Sequence, residues 1–315
     1  QKMASSVAGK GSFKVSEQIE SLPLIPRGTS LDEKLSIAKR RGEKRTLEQE
    51  KVTAETPRQL FLPGFEIGTM PNHINRSSLF APIARGKRKF HRQASIVTRR
   101  DCKIEYTGEQ LDEADGEIIM VLIFLAQPYK LGSTVPLNRA ELLRAMRRNN
   151  GKKDYLWLHN RLKALKEATL FLEALKPDGS VRYKVGSTIP FNIIEWYYDE
   201  RSETYFYKLD PRWIEIFGVE YSRIDWDKRM QIGRGKDMAK TIQRLVAGSS
   251  NAIQYYELNW LKEKMMYASP MRKFREALLS AVDELVRLDI IARGEITVST
   301  KGQPQLKLWR NPVDN

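Results

Sequence analysis

KKDYLWLHNRLKALKEATLFL, residues Lys152–Leu172, and PMRKFREALLSAVDELVRL, residues Pro270–Leu288, share one design: a basic, polar start followed by a long run with a single apolar stripe. In the first, Leu158, Leu162, Leu165 and Thr169 fall on one face at a helical period, leaving Lys153, Leu156, Asn160, Lys163 and Glu167 on the other. In the second, Phe274, Leu278, Ala281, Leu285 and Leu288 form the buried stripe. Arg272, Glu276, Asp283 and Arg287 face outward there, with Lys273 and Arg275 on the flanks. Ser269 before Pro270 reads as a cap and first-turn pair opening the second helix.

After each helix the period changes to alternation, with turn residues between short strands. Phe171–Leu175 and Val181–Val185 bracket Pro177, Asp178 and Gly179, and Ile189–Tyr198 is expected to pair with Thr204–Leu209 across Asp199, Glu200 and Arg201. After the second helix, Ile290–Ile291, Glu295–Val298 and Gln305–Trp309 are separated by Arg293–Gly294 and by Lys301–Gly302. A helix, a second helix and a hairpin wing, written twice, predict an α+β fold of two tandem winged-helix domains. Either helix alone reads equally well as an amphipathic core helix with a solvated face. Their repetition within a strongly cationic chain favours DNA as the ligand.

The chain has 315 residues, enough for two compact domains and a tail, and carries 54 Lys and Arg against 39 Asp and Glu, a formal charge of +15. Clustered cations gain affinity for a polyanion by releasing its counterions. The longest apolar run, Ile118–Ala126, is too short to span a bilayer and reads as a buried helix, and the N-terminus shows no secretory pattern, so no membrane role is expected. The single cysteine, Cys102, cannot close an internal disulfide, which fits a reducing cytoplasm and a core or surface thiol.

Four regions follow from composition: 1–58 as a largely disordered basic and polar tail, 59–100 as a linker with a basic arm, 101–218 as the first winged-helix domain and 219–315 as the second. Arg76, Arg85, Lys87, Arg88, Lys89, Arg92, Arg99 and Arg100 make the arm, either a solvated linker or a segment that follows a DNA backbone. Within the first domain, Lys103–Tyr106 reads as a strand, Leu111–Ala126 and Arg139–Met146 as helices, and Tyr155–Leu170 as the recognition helix. Lys236–Val246 and Tyr255–Met265 are the helices expected ahead of the second.

Catalytic chemistry is not expected. His73, His91 and His159 lack metal-site spacing, which argues against a zinc site and against a metal-dependent nicking enzyme. Neither glycine pair, Gly9 and Gly11 or Gly233 and Gly235, fits a phosphate-binding loop. The carboxylates form no recognisable catalytic set, so a non-enzyme needing neither metal nor cofactor is expected.

Three runs resemble the TrfA-type plasmid replication initiators: Thr69-Met70-Pro71-Asn72, Ser77-Ser78-Leu79-Phe80, and Lys103-Ile104-Glu105-Tyr106-Thr107-Gly108 with Leu111. Arg272-Lys273-Phe274-Arg275-Glu276 with Glu284 and Leu285 adds a basic-aromatic-basic-acidic run similar to the family's. The resemblance covers Gln59 to the C-terminus. It implies a bacterial, cytoplasmic protein that binds origin direct repeats, called iterons, in double-stranded DNA and helps open adjacent AT-rich DNA. Single-stranded origin DNA is a further expected partner. The resemblance also implies recruitment of the host replicative helicase, host initiator and sliding clamp, control of copy number, and a monomer and homodimer equilibrium in which monomers bind the origin. Gln59-Leu60-Phe61-Leu62 is similar to the family's clamp-binding peptide, with Gln59, Leu60 and Leu62 as the candidate contacts. It departs from that peptide at Phe61 and Pro63, and the same residues would serve equally as packing for the first domain.

Two recognition helices on one DNA face would reach grooves about 10 bp apart, a site of roughly 20 bp. Lys153, Asn160, Lys163, Arg272, Lys273 and Glu276 are the residue types that read base edges. Lys152 and Arg275 suit the phosphate backbone, which orients without specifying sequence, and Ser269 is a further DNA-binding candidate. A double winged-helix transcriptional repressor without initiator activity shares every one of these features. A coating protein would show little sequence preference, and the different residues on the two helices argue against it.

Overall fold

The computed structural model describes residues 66–83, 88–218 and 220–311, all within one compact unit spanning 59–315. The tail 1–58 and the clamp-like Gln59–Leu62 lie outside the described residues, as do Arg85 and Lys87 of the basic arm. In chain order the elements are β1 (Thr69–Pro71), α1 (Asn72–Arg76), β2 (Phe90–Ile96), β3 (Cys102–Glu109), α2 (Glu113–Ala126), β4 (Val135–Leu137), α3 (Arg139–Ala145) and α4 (Lys152–Glu167). There follow β5 (Thr169–Leu175), β6 (Val181–Val185), β7 (Phe191–Asn192), β8 (Glu195–Asp199), β9 (Thr204–Lys208), α5 (Trp213–Phe217), β10 (Tyr221–Arg223) and α6 (Trp226–Gln231). The chain ends with α7 (Asp237–Ala247), β11 (Ile253–Glu257), α8 (Leu258–Lys264), α9 (Met271–Arg287), β12 (Ile291–Val298) and β13 (Pro304–Arg310).

One pattern of helix, strand, helix, helix, strand, strand occurs twice. It runs α2, β4, α3, α4, β8, β9 and then α7, β11, α8, α9, β12, β13. In both, the last strand lies in the middle of an antiparallel three-stranded sheet, ordered β4-β9-β8 and β11-β13-β12. These are two winged-helix domains. The turn ahead of each long helix is also the same. Arg147 and Met266 adopt left-handed backbone (φ 49° and 50°). The amides of Arg148 and Tyr267 then reach back to the carbonyls of Leu143 and Lys262 at 2.8 and 3.0 Å. This pairing closes the preceding helix with a Schellman motif. Five residues, 147–151 and 266–270, then lead into the long helix in each domain.

The first domain is elaborated. Between α4 and β8 it inserts β5, β6 and β7, which join β2 and β3 in a five-stranded antiparallel sheet ordered β2-β3-β5-β6, with β7 on β5. Helix α2 opens on a capping box: Asp112 accepts from the amides of Ala114 and Asp115 (3.0 and 3.1 Å), and Asp115 accepts from the Asp112 amide at 2.8 Å. Ile118–Ile123 of this helix are all buried, as expected for an all-apolar central segment.

The described residues between Thr69 and Ile96 pack on the first domain rather than running free as a linker. Met70, Ile74, Leu79 and Phe80 are buried in the first core, β1 pairs with β10, and β2 pairs with β3. The arginines there are partly engaged: Arg76 donates to the Gly248 carbonyl and pairs with Glu220 (3.2 Å), while Arg88 pairs with Asp112 and Asp115. Arg92, Arg99 and Arg100 are exposed. The first core also takes in Ile224 and the half-buried Trp226, past residue 218.

Three local expectations are corrected. Tyr255 and Tyr256 belong to strand β11, not to a helix, because β11 finds its partner in β13 fifty residues on. Arg293 and Gly294 lie inside strand β12 rather than in a turn; a Cβ on Gly294 would sit 2.7 Å from Val282 and Leu308, so the glycine lets the strand press against α9. Ser269 is not the helix cap: Pro270 holds that place with extended backbone, and no side chain caps the helix.

Cys102 is buried in β3, where burial and the Asp101 charge push its thiol up to about 12. Among the described residues no helix is long and apolar enough to cross a membrane, and no cluster of His, Cys, Asp and Glu is arranged to hold a metal ion.

Candidate nucleic-acid interface

Each long helix buries its apolar stripe and presents a polar face. On α4, Leu158, Leu162 and Leu165 are buried while Lys152, Lys153, Leu156, Asn160, Lys163 and Glu167 are exposed. Thr169 falls beyond the helix end, in β5. On α9, Phe274, Leu278, Ala281 and Leu285 are buried, and Arg272, Lys273, Arg275, Glu276, Asp283 and Arg287 are exposed. Ser269 lies in the turn before α9 and is half-buried. Neither start is closed by a side-chain cap, so N-terminal amides and adjoining cations (Lys152 and Lys153, Arg272 and Lys273) stand together, an arrangement that suits phosphate oxygens.

What holds α4 in place was not legible as a functional feature. Arg161 shares the buried face with Leu158 and Leu165, where it makes bidentate hydrogen bonds to Asp115 (2.6 and 2.9 Å) and a third to Glu109 (2.7 Å). Burial alone would lower its pKa; the hydrogen bonds and charges of Asp115 and Glu109 outweigh that and hold it above its ordinary value. The pair locks α4 to the start of α2. Trp157 does not offer a free stacking face: it packs against the first core, and the Arg148 guanidinium lies 3.6 Å over its ring. His159 meets Trp196 edge-on at 5.3 Å. Arg272 and Glu276 bond each other at 2.8 Å across one helical turn, so two of the three base-reading candidates of α9 act as a pair in the free protein.

The wings differ. On the outer face of β11-β13-β12, Lys307 Nζ lies 4.4 Å from the Trp309 ring centre and 5.7 Å from that of Tyr255, and Arg293 lies 4.9 Å over Trp309. The hairpin tip carries the exposed Lys301 beside Gly302, whose left-handed φ of 76° closes the turn. On β8-β9 the tip holds Asp199, Glu200, Arg201 and Glu203, an excess of negative charge, and the outer face stacks Tyr197 on Phe206 at 5.5 Å. The inserted β5-β6 hairpin supplies exposed Lys176, Arg182 and Lys184 against Asp178 and Glu173, the last paired with Lys184 at 2.6 Å. The alternation that marks these hairpins as strands also marks which residues share their outer faces.

Charge also joins the two domains. Glu113 on α2 accepts hydrogen bonds from Thr241 (2.6 Å), Arg229 (2.8 Å) and Arg244 (3.0 Å), and Glu117 accepts from Arg229 at 2.9 Å and pairs with Lys240 at 2.7 Å. Burial alone would raise the Glu113 pKa, but Arg244 and Arg229 hold it down at about 2. Arg244 reaches on to the carbonyls of Phe80 and Asn75, and Lys264 Nζ donates to the Ser77 carbonyl. Ser77 and Phe80, part of the family-like runs, are therefore buried at this junction, and Asn72 and Ser78 are buried as well, bonded to Glu220 and Val97, rather than on the polar helix faces. Gly108, in another such run, has φ 145°, and a Cβ there would lie 2.7 Å from the Tyr106 hydroxyl.

No protein-family profile matches the chain, and no curated protein does. Among solved structures, one crystal structure of domains 2 and 3 of RctB aligns with 78% of this chain and 99% of its own length, at 10% identity and a TM-score of 0.48. A second structure of the same domains gives 76%, 97%, 11% and 0.46.

Proposed function

We propose that this chain is a sequence-specific binder of double-stranded DNA, not an enzyme, and that it acts as an iteron-type replication initiator. The carrying observation is the duplicated unit: two helices with exposed Lys, Arg, Asn and Glu faces, each presented by the same five-residue turn and followed by a hairpin. In this reading α4 and α9 enter successive major grooves, giving an asymmetric site of roughly 20 bp. Lys153, Asn160, Lys163, Arg272, Lys273 and Glu276 read bases, while Lys152, Arg275 and the cationic second wing hold phosphates. The resemblance of the buried runs to the TrfA-type initiators supports the finer part of the proposal. That part comprises binding to origin direct repeats, melting of adjacent AT-rich DNA, contact with host helicase, initiator and clamp, and a monomer and dimer balance.

The test is selection from a randomised duplex pool at physiological salt. Permanganate probing then follows on a supercoiled plasmid carrying the selected repeat in tandem beside an AT-rich segment. A consensus with new thymine reactivity supports an initiator. A consensus that leaves the AT-rich segment unreactive, with host initiator present, favours a repressor, and the absence of any consensus overturns the DNA-reading assignment.

A further inference from the structure

The large hydrophobic side chains left exposed on helices, among the described residues, are three: Leu156 (61% exposed), Leu279 (41%) and Val286 (42%). All three lie on α4 and α9, the two helices assigned to DNA reading, and on no other helix. Leu156 follows Lys153 by three residues and precedes Asn160 by four, and Leu279 follows Glu276 by three and Arg272 by seven. These are the spacings of one helical face. Leu156 therefore stands among the candidate base-reading side chains, well away from the buried stripe, while Leu279 stands beside Glu276 at the edge of that stripe, three residues before the buried Val282. Val286 lies two turns nearer the C-terminus, away from the N-terminal part of a recognition helix that meets base edges.

Leucine on a water-facing surface forgoes the stabilisation that burial would return. Singly scattered exposed leucines are ordinary; confinement to the outer faces of these two helices is not a scatter. The major groove offers one apolar group on a base edge, the C5-methyl of thymine, while its other groups are hydrogen-bond donors and acceptors that Lys, Arg, Asn and Glu can read.

We infer that Leu156 and Leu279 each contact a thymine methyl group in the bound site, so that each recognition helix reads at least one A·T pair by apolar contact beside its polar contacts. This rests on the DNA-reading function proposed above and names the chemistry of two further specificity residues.

The experiment uses the full chain and the duplex selected from a randomised pool, resynthesised with each thymine replaced in turn by deoxyuridine, which removes only the methyl. At about 0.8 kcal/mol per buried methyl-sized group, the wild type loses about fourfold in affinity at each contacted thymine. Leu156→Ala abolishes the penalty at one position and Leu279→Ala at another, while Leu156→Met retains it. Thermal melting shows that the fold is intact: the transition stays cooperative in every variant, nearly unshifted for Leu156→Ala and lowered by a few degrees for the more covered Leu279→Ala. If no thymine is sensitive, or the alanine variants keep the full penalties, the inference is overturned while DNA reading stands. If Leu156→Ala instead shifts sedimentation without altering any penalty, the leucine packs on protein and the inference is again overturned. A chain that selects no sequence removes the underlying function along with it.

Discussion

The two winged-helix domains have the same strand order and the same turn into the long helix, yet they spend their charge differently. The second domain is the bare motif, and its wing presents Arg293, Lys301 and Lys307 with Trp309 and Tyr255 beneath two of them. In the first, the wing tip is acidic and the cations lie on the start of α4 and on an inserted hairpin. Topology sets where a helix can enter a groove, while charge placement sets which edges can approach phosphates. The first wing is built on the same frame as the second but is electrostatically unsuited to the same contact.

The largest effect is expected from separating the domains being compared. Glu113→Gln leaves Arg244 buried without its carboxylate and Arg229 with Glu117 alone, and should cost about 3–5 kcal/mol, read by chemical denaturation. The pH dependence follows from its sign: Glu113 is held at about 2 against an ordinary 4.5, so its stabilisation is fully present above about pH 4.5 and is lost as pH falls toward 2. The variant should show a flatter stability profile over that acid range, and an unchanged profile would contradict a charged Glu113 at the junction.

Base reading comes next. Arg272→Ala removes one member of an exposed ion pair and should change stability by no more than about 0.5 kcal/mol. It should nonetheless cost about 1–3 kcal/mol of discrimination at one base position. Lys152→Ala should instead weaken binding to every sequence and reduce the salt slope by about one. Identical behaviour of the two variants would dissolve the division between reading and holding. The smallest effects concern the wings. Lys307→Ala should lower the salt slope by about 0.9, whereas Glu200→Lys in the first wing should leave sequence preference unchanged and steepen the slope. A wing that is indifferent to both changes lies away from the backbone.

Much of this was legible in the chain. The faces of α4 and α9 followed from periodicity, because an amphipathic helix on a core must place Leu158, Leu162, Phe274 and Leu278 inward whatever its partner. Strand β6 and the turn at Pro177–Gly179 were equally plain. What failed depended on distant partners. Tyr255–Met265 has an apolar spacing compatible with a helix, and only pairing to β13 makes its start a strand. Residues 69–81 look like a linker because their apolar residues have no local period; they are buried by β10, α2 and the second domain. Nothing in the sequence marks Arg161, Glu113, Arg229 and Arg244 as buried partners, since only tertiary structure brings each to an opposite charge.

The central claim is that two different helices of one chain read one asymmetric DNA site. Hydroxyl-radical footprinting of the full chain on its selected duplex, repeated with Arg272→Ala, tests it most directly. The account predicts a protected site of roughly 20 bp with two read segments about 10 bp apart, of which the variant relaxes one. A single read segment, or equal relaxation of both, would contradict it.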